Sequence, residues 1–170
     1  MPSSVDISGR SFFLSLAMIN PSNGKIEFRV ATSIADYLFL RRLRNAVRQQ
    51  LTNDTAKLGY LRQFRFYISR PAGLEIHIAW LRGRRAGYLL LRRAEGTCYV
   101  TEAVAKRFRR QGIGLAMVRF AIGRAAELTA EIRASNTVSI ELHRAAGFYP
   151  LALDGAIVTY RYRRSGATTA

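Results

Sequence analysis

The sequence predicts an α/β fold, an α+β mixed sheet of about six or seven strands flanked by about four helices. Three observations predict it. Between Leu74 and Val104 the runs "LEIHIAWL", "AGYLLLRR" and "TCYVTEAV" read as strands, joined by "RGRR" and "AEG", lengths that suit tight antiparallel hairpins. After Ile113 the period changes from two to about 3.6, with Leu115, Val118, Ile122 and Ala125 on one helical face. Strand and helix patterns then alternate to the end of the chain.

Residues 1–24 are rich in Ser, Asn and Gly around "RSFFLSLAMI" and read as an N-terminal extension or extra strand, with "NPSNG" as a turn. The apolar stretch follows a basic residue as in a signal peptide, but no small-residue cleavage pattern comes after it. A single domain is expected over 25–165, followed by a flexible tail at 166–170. "KIEFRVA" alternates as a half-buried strand. The first helix follows, with Thr32 or Ser33 as N-cap, Tyr37, Leu40, Leu43 and Val47 on one face, and Arg41, Arg44 and Arg48 on its flank. "NDTAKLGYLRQFRFYIS" predicts a second, shorter helix, and "RPAG" a turn into the three strands. Beyond the third helix, "LTAEIRA" is a strand with Leu128, Ala130 and Ile132 on one face and Thr129, Glu131 and Arg133 on the other. "NTVSIELHRAAGF" is a helix capped by Asn136 and stopped at Gly147, and "AIVTYRYR" is a last strand.

At 170 residues, 49% apolar and 22% charged, the chain can bury one proper core. Its net charge of +16 is carried almost wholly by arginine, the lysines being Lys25, Lys57 and Lys106. Arginine suits planar contacts to phosphate and carboxylate, which points to a polyanionic ligand. A genome preferring arginine codons gives the same bias on a solvated surface. Cys98 is the only cysteine, so a disulfide within the chain and a cysteine-based zinc site are both excluded, and a reducing, cytoplasmic setting fits. With His77 and His143 as the only histidines, no catalytic metal centre is expected. No apolar run reaches the roughly 18–20 residues that span a bilayer.

The loop "VAKRFRRQGIG" stands between a strand ending near Val104 and a helix starting near Gly112. Amides of a first helical turn lack intrahelical partners and the dipole favours anions there. Gly112 and Gly114 would let a pyrophosphate approach the backbone, and Arg109 and Arg110 would add charge-assisted contacts. The Lys-Ser/Thr of a P-loop is absent. Met117 stands where a dinucleotide fingerprint needs its third glycine.

From about residue 25 onward the chain resembles the GNAT acetyltransferases, which use acyl-CoA. Val104, Arg109, Gly112 and Gly114 match the family's Arg/Gln-x-x-Gly-x-Gly/Ala motif after a strand ending in Val. "EIRASNTVSIELHRAAGF" matches its second element through Asn136, Ser139, Ile140, Leu142, Gly147 and Phe148. The resemblance implies a sheet splayed between two parallel strands, with acetyl-CoA as cofactor. Amides from Arg110 through Gln111, Gly112 and Ile113 to Gly114 would cradle the CoA pyrophosphate. The Val104 backbone would pair with the pantetheine arm and its neighbourhood would offer an oxyanion donor, while Asn136 would contact the cofactor across the cleft.

Acetyl transfer to an amine needs a base for the ammonium and benefits from an acid for the leaving thiolate. Where many members carry the acid tyrosine, this chain has His143, a competent donor near neutral pH. Alternatively His143 only packs, and water serves. Glu131 is the first candidate base, because the branch acetylating the N-terminus of a ribosomal protein has its glutamate in a similar "E-x-R-A-S-N" context. Glu102 is the second, and a salt bridge with arginine is the alternative for either. "RRLRNAVRQQLTND" resembles the first helix of members acting on amino sugars carried on nucleotides, so Tyr37, Arg41 and Arg44 would face a small anionic amine acceptor. A protein N-terminus or side chain is the competing acceptor, and a non-catalytic CoA-sensing or nucleic-acid-binding module is the reading of another class. Nucleic acid is disfavoured because the aromatics fall at core spacing. A monomer or homodimer without membrane contact is expected.

Overall fold

The computed structural model describes residues 18–20, 24–52, 55–69 and 71–164. Strand β1 (Met18–Asn20) pairs with β2 (Gly24–Val30), and helices α1 (Ile34–Val47) and α2 (Tyr60–Ser69) follow. The hairpins β3 (Leu74–Leu81), β4 (Arg84–Ala94) and β5 (Thr97–Val104) lead to α3 (Ile113–Ile122). Strand β6 (Glu127–Arg133), α4 (Thr137–Ala145), β7 (Tyr149–Asp154) and β8 (Ile157–Arg163) complete the fold. All eight strands form one sheet in the order β1-β2-β3-β4-β5-β6-β8-β7.

Every neighbouring pair is antiparallel except β5 and β6, whose parallel pairing is confined to Tyr99 and Thr129. Parallel neighbours need a long crossover, and α3 supplies it. Beyond that contact the two strands separate while each stays paired on its other edge, β5 with β4 and β6 with β8. The sheet is therefore two half-sheets meeting at one point.

Each face of the sheet has its own core. On one, Ile113, Met117, Val118, Phe120 and Ala121 of α3 pack on Phe28, Leu89, Leu91, Val100, Leu128 and Ile132. On the other, Tyr37, Leu40, Leu43 and Val47 of α1 pack on Ile76, Ile78, Tyr88 and Ala103. These four α1 residues are the ones its helical spacing singles out. Ser33 is the N-cap: its hydroxyl accepts from the Asp36 amide, and the Asp36 carboxylate accepts from the Ser33 amide. Arg85 of β4 donates to the same carboxylate at 2.8 Å, tying the helix to the sheet. Burial pushes the Asp36 carboxyl up, but the hydrogen bonds from Ser33 and Arg85 outweigh it and hold the group below its usual range.

Three differences from the sequence reading are local. The second helix begins only at Tyr60, because residues 55–58 are irregular, with a bend at Ala56 and Leu58 held to Asn45 and Arg41. Strand β7 is additional. It contains Pro150 and all six of its residues are exposed, so it carries little strand signal, and proline is tolerated there because β7 is an edge strand. Of the first 24 residues, 18–20 form β1 and Gly24 opens β2; residues 1–17 and 21–23, and the tail from 165, lie outside the described residues. Among the described residues, no helix is long and apolar enough to cross a membrane.

Gly87 lies opposite Val104 in the β4–β5 ladder, and a Cβ there would sit 2.6 Å from the Ala103 carbonyl oxygen and 3.2 Å from Met117 Cε. Gly59 faces open space. Gly87→Ala should lower unfolding free energy by roughly 2–3 kcal/mol, the upper range for overpacking. Gly59→Ala should change it by less than about 1 kcal/mol. Urea titrations of the two variants check this, and similar midpoints would show that β4 and β5 can separate to admit the methyl group.

Candidate active site

The divergence of β5 and β6 opens a gap in the sheet, and residues from both faces converge on its rim. On the α3 side, β5 runs into a single 3-10 turn, Lys106–Phe108, and then into the start of α3. Arg110 has φ 59° and Gly112 φ 76°, both left-handed, and Gly112 is the N-cap of a helix that no side chain caps. Left-handed turns of this kind turn successive amides toward one point and make an anion-binding concavity. The uncapped first turn adds the donors of Ile113 and Gly114. Such a cradle offers backbone donors to a phosphate-sized anion.

The side chains around it are partly spoken for. Arg109 Nε donates to the Val104 carbonyl at 3.2 Å, and Gln111 Nε2 donates to the Arg107 carbonyl, so both brace the loop. Arg110 is exposed. Gly114 has a packing reason as well, since a Cβ there would lie 2.5 Å from Leu142 Cδ1 of α4. Its lack of a side chain lets α3 and α4 close together, a cause distinct from ligand approach. Asn136 caps α4, its side-chain oxygen accepting from the Ser139 amide at 3.3 Å.

On this same face, His143 of α4 meets Glu102 of β5. His143 is 1% exposed, and its Nε2 lies 3.6 Å from Glu102 Oε2, whose side chain is 10% exposed. Nδ1 is 2.9 Å from the Ser139 carbonyl, which can only accept, so Nδ1 carries a hydrogen. Nε2 is buried and makes no hydrogen bond, and the Glu102 carboxyl is the acidic group beside it. Burial pushes the Glu102 carboxyl up, and the nearby His143 offsets part of that rise. Phe148 packs edge-on against the imidazole and helps hold it.

On the opposite face lies a cavity of about 230 Å³ between α1 and the strands. Glu131 of β6 reaches it, together with Arg44 of α1 and Tyr88, Arg92, Tyr99 and Thr101 of β4 and β5. Among the described residues Glu131 has no ion-pair or hydrogen-bond partner, although the chain carries a net charge of +16. The two glutamates singled out by the sequence thus stand on opposite faces of the gap. Neither forms a salt bridge with an arginine. Tyr88 is almost fully buried at the cavity wall, and burial pushes its phenol up, so the hydroxyl stays protonated.

Of the residues expected at the acceptor, Arg44 lines the cavity and Tyr37 and Arg41 do not. Tyr37 is buried, with its ring edge-on to Tyr67 of α2 at 4.9 Å. Arg41 donates to the Leu58 carbonyl and stacks on the Tyr60 ring at 3.5 Å, bracing the α1–α2 connection. Arg44 also braces it, donating to the Ala56 carbonyl at 2.8 Å. Sequence reasoning missed Arg92, Tyr99 and Thr101. The available signal was strand parity, since Tyr99 and Thr101 share a face with Ala103 and flank the point where β5 and β6 meet.

The sequence profile of the acetyltransferase (GNAT) family matches residues 40–148. No curated protein matches the chain. Among solved structures, the chain is similar to a GNAT superfamily phosphinothricin acetyltransferase of Sinorhizobium meliloti in complex with AcCoA. The identity there is 19%, over 85% of this chain and 92% of that one, with a TM-score of 0.71. It is also similar to the spermidine N-acetyltransferase of Vibrio cholerae in complex with CoA and spermine, at 11% identity, 82% and 96% coverage and a TM-score of 0.71. The ribosomal-protein-alanine N-acetyltransferase of Brucella melitensis matches at 21% identity, 80% and 98% coverage and a TM-score of 0.67. At such identities the structures establish a shared fold, and their three different acceptors leave this chain's own acceptor open. The family profile spans well over half of the sequence and both of its signature elements, and the chain belongs to the GNAT family of acetyl-CoA-dependent N-acetyltransferases.

Proposed function

We propose that this N-acetyltransferase acetylates the primary amine of a small anionic metabolite, a class that includes amino-sugar nucleotides, with Glu131 as base and His143, backed by Glu102, as proton donor. The observation that carries the reading is the opposition of these groups across the β5–β6 gap. An unpaired carboxylate lies in a cavity on the α1 face, and a buried carboxyl–imidazole pair lies on the α3–α4 face. The uncapped, left-handed start of α3 supports placing the cofactor on the second face, which leaves the first to the amine.

Acetyl-CoA supplies an acetyl group activated as a thioester. Glu131 accepts the proton that the ammonium must lose before its lone pair can form the new C–N bond, directly or through a water. The Glu102–His143 pair holds one proton in a buried setting and delivers it to the sulfur as the C–S bond breaks, and afterwards regains a proton from solvent. Amides of residues 110–114 hold the phosphates, and Arg109 and Gln111 keep their loop in shape. The cavity is a compartment of limited volume beside Arg44, which favours a metabolite over a polypeptide. A protein acceptor is the second reading, favoured by Tyr60, Leu61, Phe64 and Ile68, which expose an apolar face on α2. The lone, buried Cys98 accords with a reducing, cytoplasmic setting.

Glu131→Gln should lower kcat/KM roughly 100-fold or more, the usual contribution of a positioned base, while acetyl-CoA affinity is kept. Undiminished turnover would remove Glu131 from the chemistry. His143→Ala should lower kcat more than it weakens acetyl-CoA binding, both measured at a temperature where the variant is folded. Equal turnover in wild type and variant would return the proton-donor role to water.

A pH test follows from Glu102. A carboxyl whose folded pKa is raised above its unfolded value binds its proton more tightly when folded, so its ionisation costs stability as pH rises from the ordinary carboxylate range through the raised value. Glu102→Gln should therefore gain stability relative to wild type between pH 4 and pH 8. Denaturant midpoints of the two proteins across that range check the sign, and a difference independent of pH would contradict it.

A further inference from the structure

We infer that the acceptor is a compact zwitterion of the amino-acid type, bearing its acid group on the same small skeleton as its amine, and that Arg92 selects it. The inference rests on the reading of Glu131 as the base at the amine. It narrows the class of small anionic metabolites to those whose anion lies within the cavity.

The cavity has two charged ends. Its lining includes the acidic Glu131 and the basic Arg44 and Arg92, and since the Arg44 guanidinium is held to the Ala56 carbonyl, Arg92 is the arginine left to meet an anion. Strand register fixes their relation. Arg92 lies directly opposite Tyr99 in the β4–β5 ladder, and Tyr99 is the residue that pairs with Thr129 of β6. Glu131 stands two residues beyond Thr129, and Thr101 two beyond Tyr99. Two residues of strand advance about 7 Å, and β4 and β6 lie two strand spacings apart, about 10 Å, so the Arg92 and Glu131 backbones are about 12 Å from each other. The Arg92 guanidinium lies over the Tyr99 ring at 4.3 Å, which holds the long side chain against the cavity wall. The Arg92 side chain thus extends from β4 over β5, the strand next to β6, and because Arg92 and Glu131 line one cavity a single small molecule can meet both.

Size and charge favour it over the other acceptors. About 230 Å³ is below the roughly 300–1,000 Å³ of pockets that enclose drug-sized ligands, so a nucleotide acceptor would leave its anion outside the cavity that holds the amine. A polyamine would bring further positive charge to Arg44 and Arg92. A peptide N-terminus has an amide where the free acid should be, and cannot form a charge-assisted pair with the guanidinium.

The test is steady-state acetylation by the full chain at saturating acetyl-CoA. The amines are free amino acids, the same amino acids as carboxamides, an amino-sugar nucleotide, a short peptide and a polyamine. The preferred free acid should exceed its own carboxamide in kcat/KM at least 10-fold. Arg92→Gln should bring that ratio close to one, mainly through the KM of the acid, whereas Arg84→Gln at the start of β4, away from the cavity lining, should keep the wild-type ratio. Equal use of acid and carboxamide by the wild type, better use of the nucleotide or the peptide, or an unchanged ratio in Arg92→Gln overturns the inference alone. Acetylation of none of these amines, with acetyl-CoA still raising the unfolding temperature, overturns the reading beneath it as well.

Discussion

Everything at the site depends on how little β5 and β6 hold each other. Their parallel contact is limited to Tyr99 and Thr129, whereas β5 is laddered to β4 along its whole length and β6 to β8 along seven residues. Each strand therefore follows the twist of its own half-sheet, and the two part beyond the contact. Backbone groups that a continuous sheet would consume face the opening instead, which is where an extended ligand arm can pair with them. The same parting gives one opening two faces, with Glu131 and the α1 cavity on one and Glu102, His143 and the start of α3 on the other.

The electrostatic setting makes the two glutamates conspicuous. In a chain this rich in arginine, carboxylates are readily paired: Asp36 with Arg85, Glu127 with Arg161 and Arg163, Glu27 with Arg29. Glu131 lines a cavity with no such partner among the described residues. Glu102 is buried against an imidazole whose other nitrogen is already committed to a carbonyl. Burial raises the Glu102 carboxyl and the neighbouring imidazole offsets part of that rise, so the pair is a place where a proton can be held away from solvent. His143 in the place of a tyrosine thus comes with its own second group, two residues before Val104.

Much of the fold was legible because its signals are local. The Ser33 cap, the four inward residues of α1, the three hairpin strands and the Asn136 cap all follow from spacing within a few residues, and burial agrees with them. What was not legible depends on contacts distant in sequence. Gly114 looks like a glycine freed for a phosphate, yet Leu142 of another helix also requires its missing side chain. Tyr37 on the inward face of α1 and Arg41 on its flank are occupied by α2 and the Leu58 segment, and of the three expected residues only Arg44 lines the cavity. Arg92 and Tyr99 belong to the site through register alone. No motif marks them. The partnership of Glu102 with His143 likewise joins a strand and a helix 41 positions apart, which no periodicity announces.

Amide hydrogen exchange with and without acetyl-CoA tests the division of the site most directly. Binding should slow exchange at residues 110–115 and at the end of β5, while the α1 cavity residues Arg44 and Thr52 keep their free rates until an amine is added. Protection of the cavity by acetyl-CoA alone, or none at the start of α3, would contradict the assignment of the two faces.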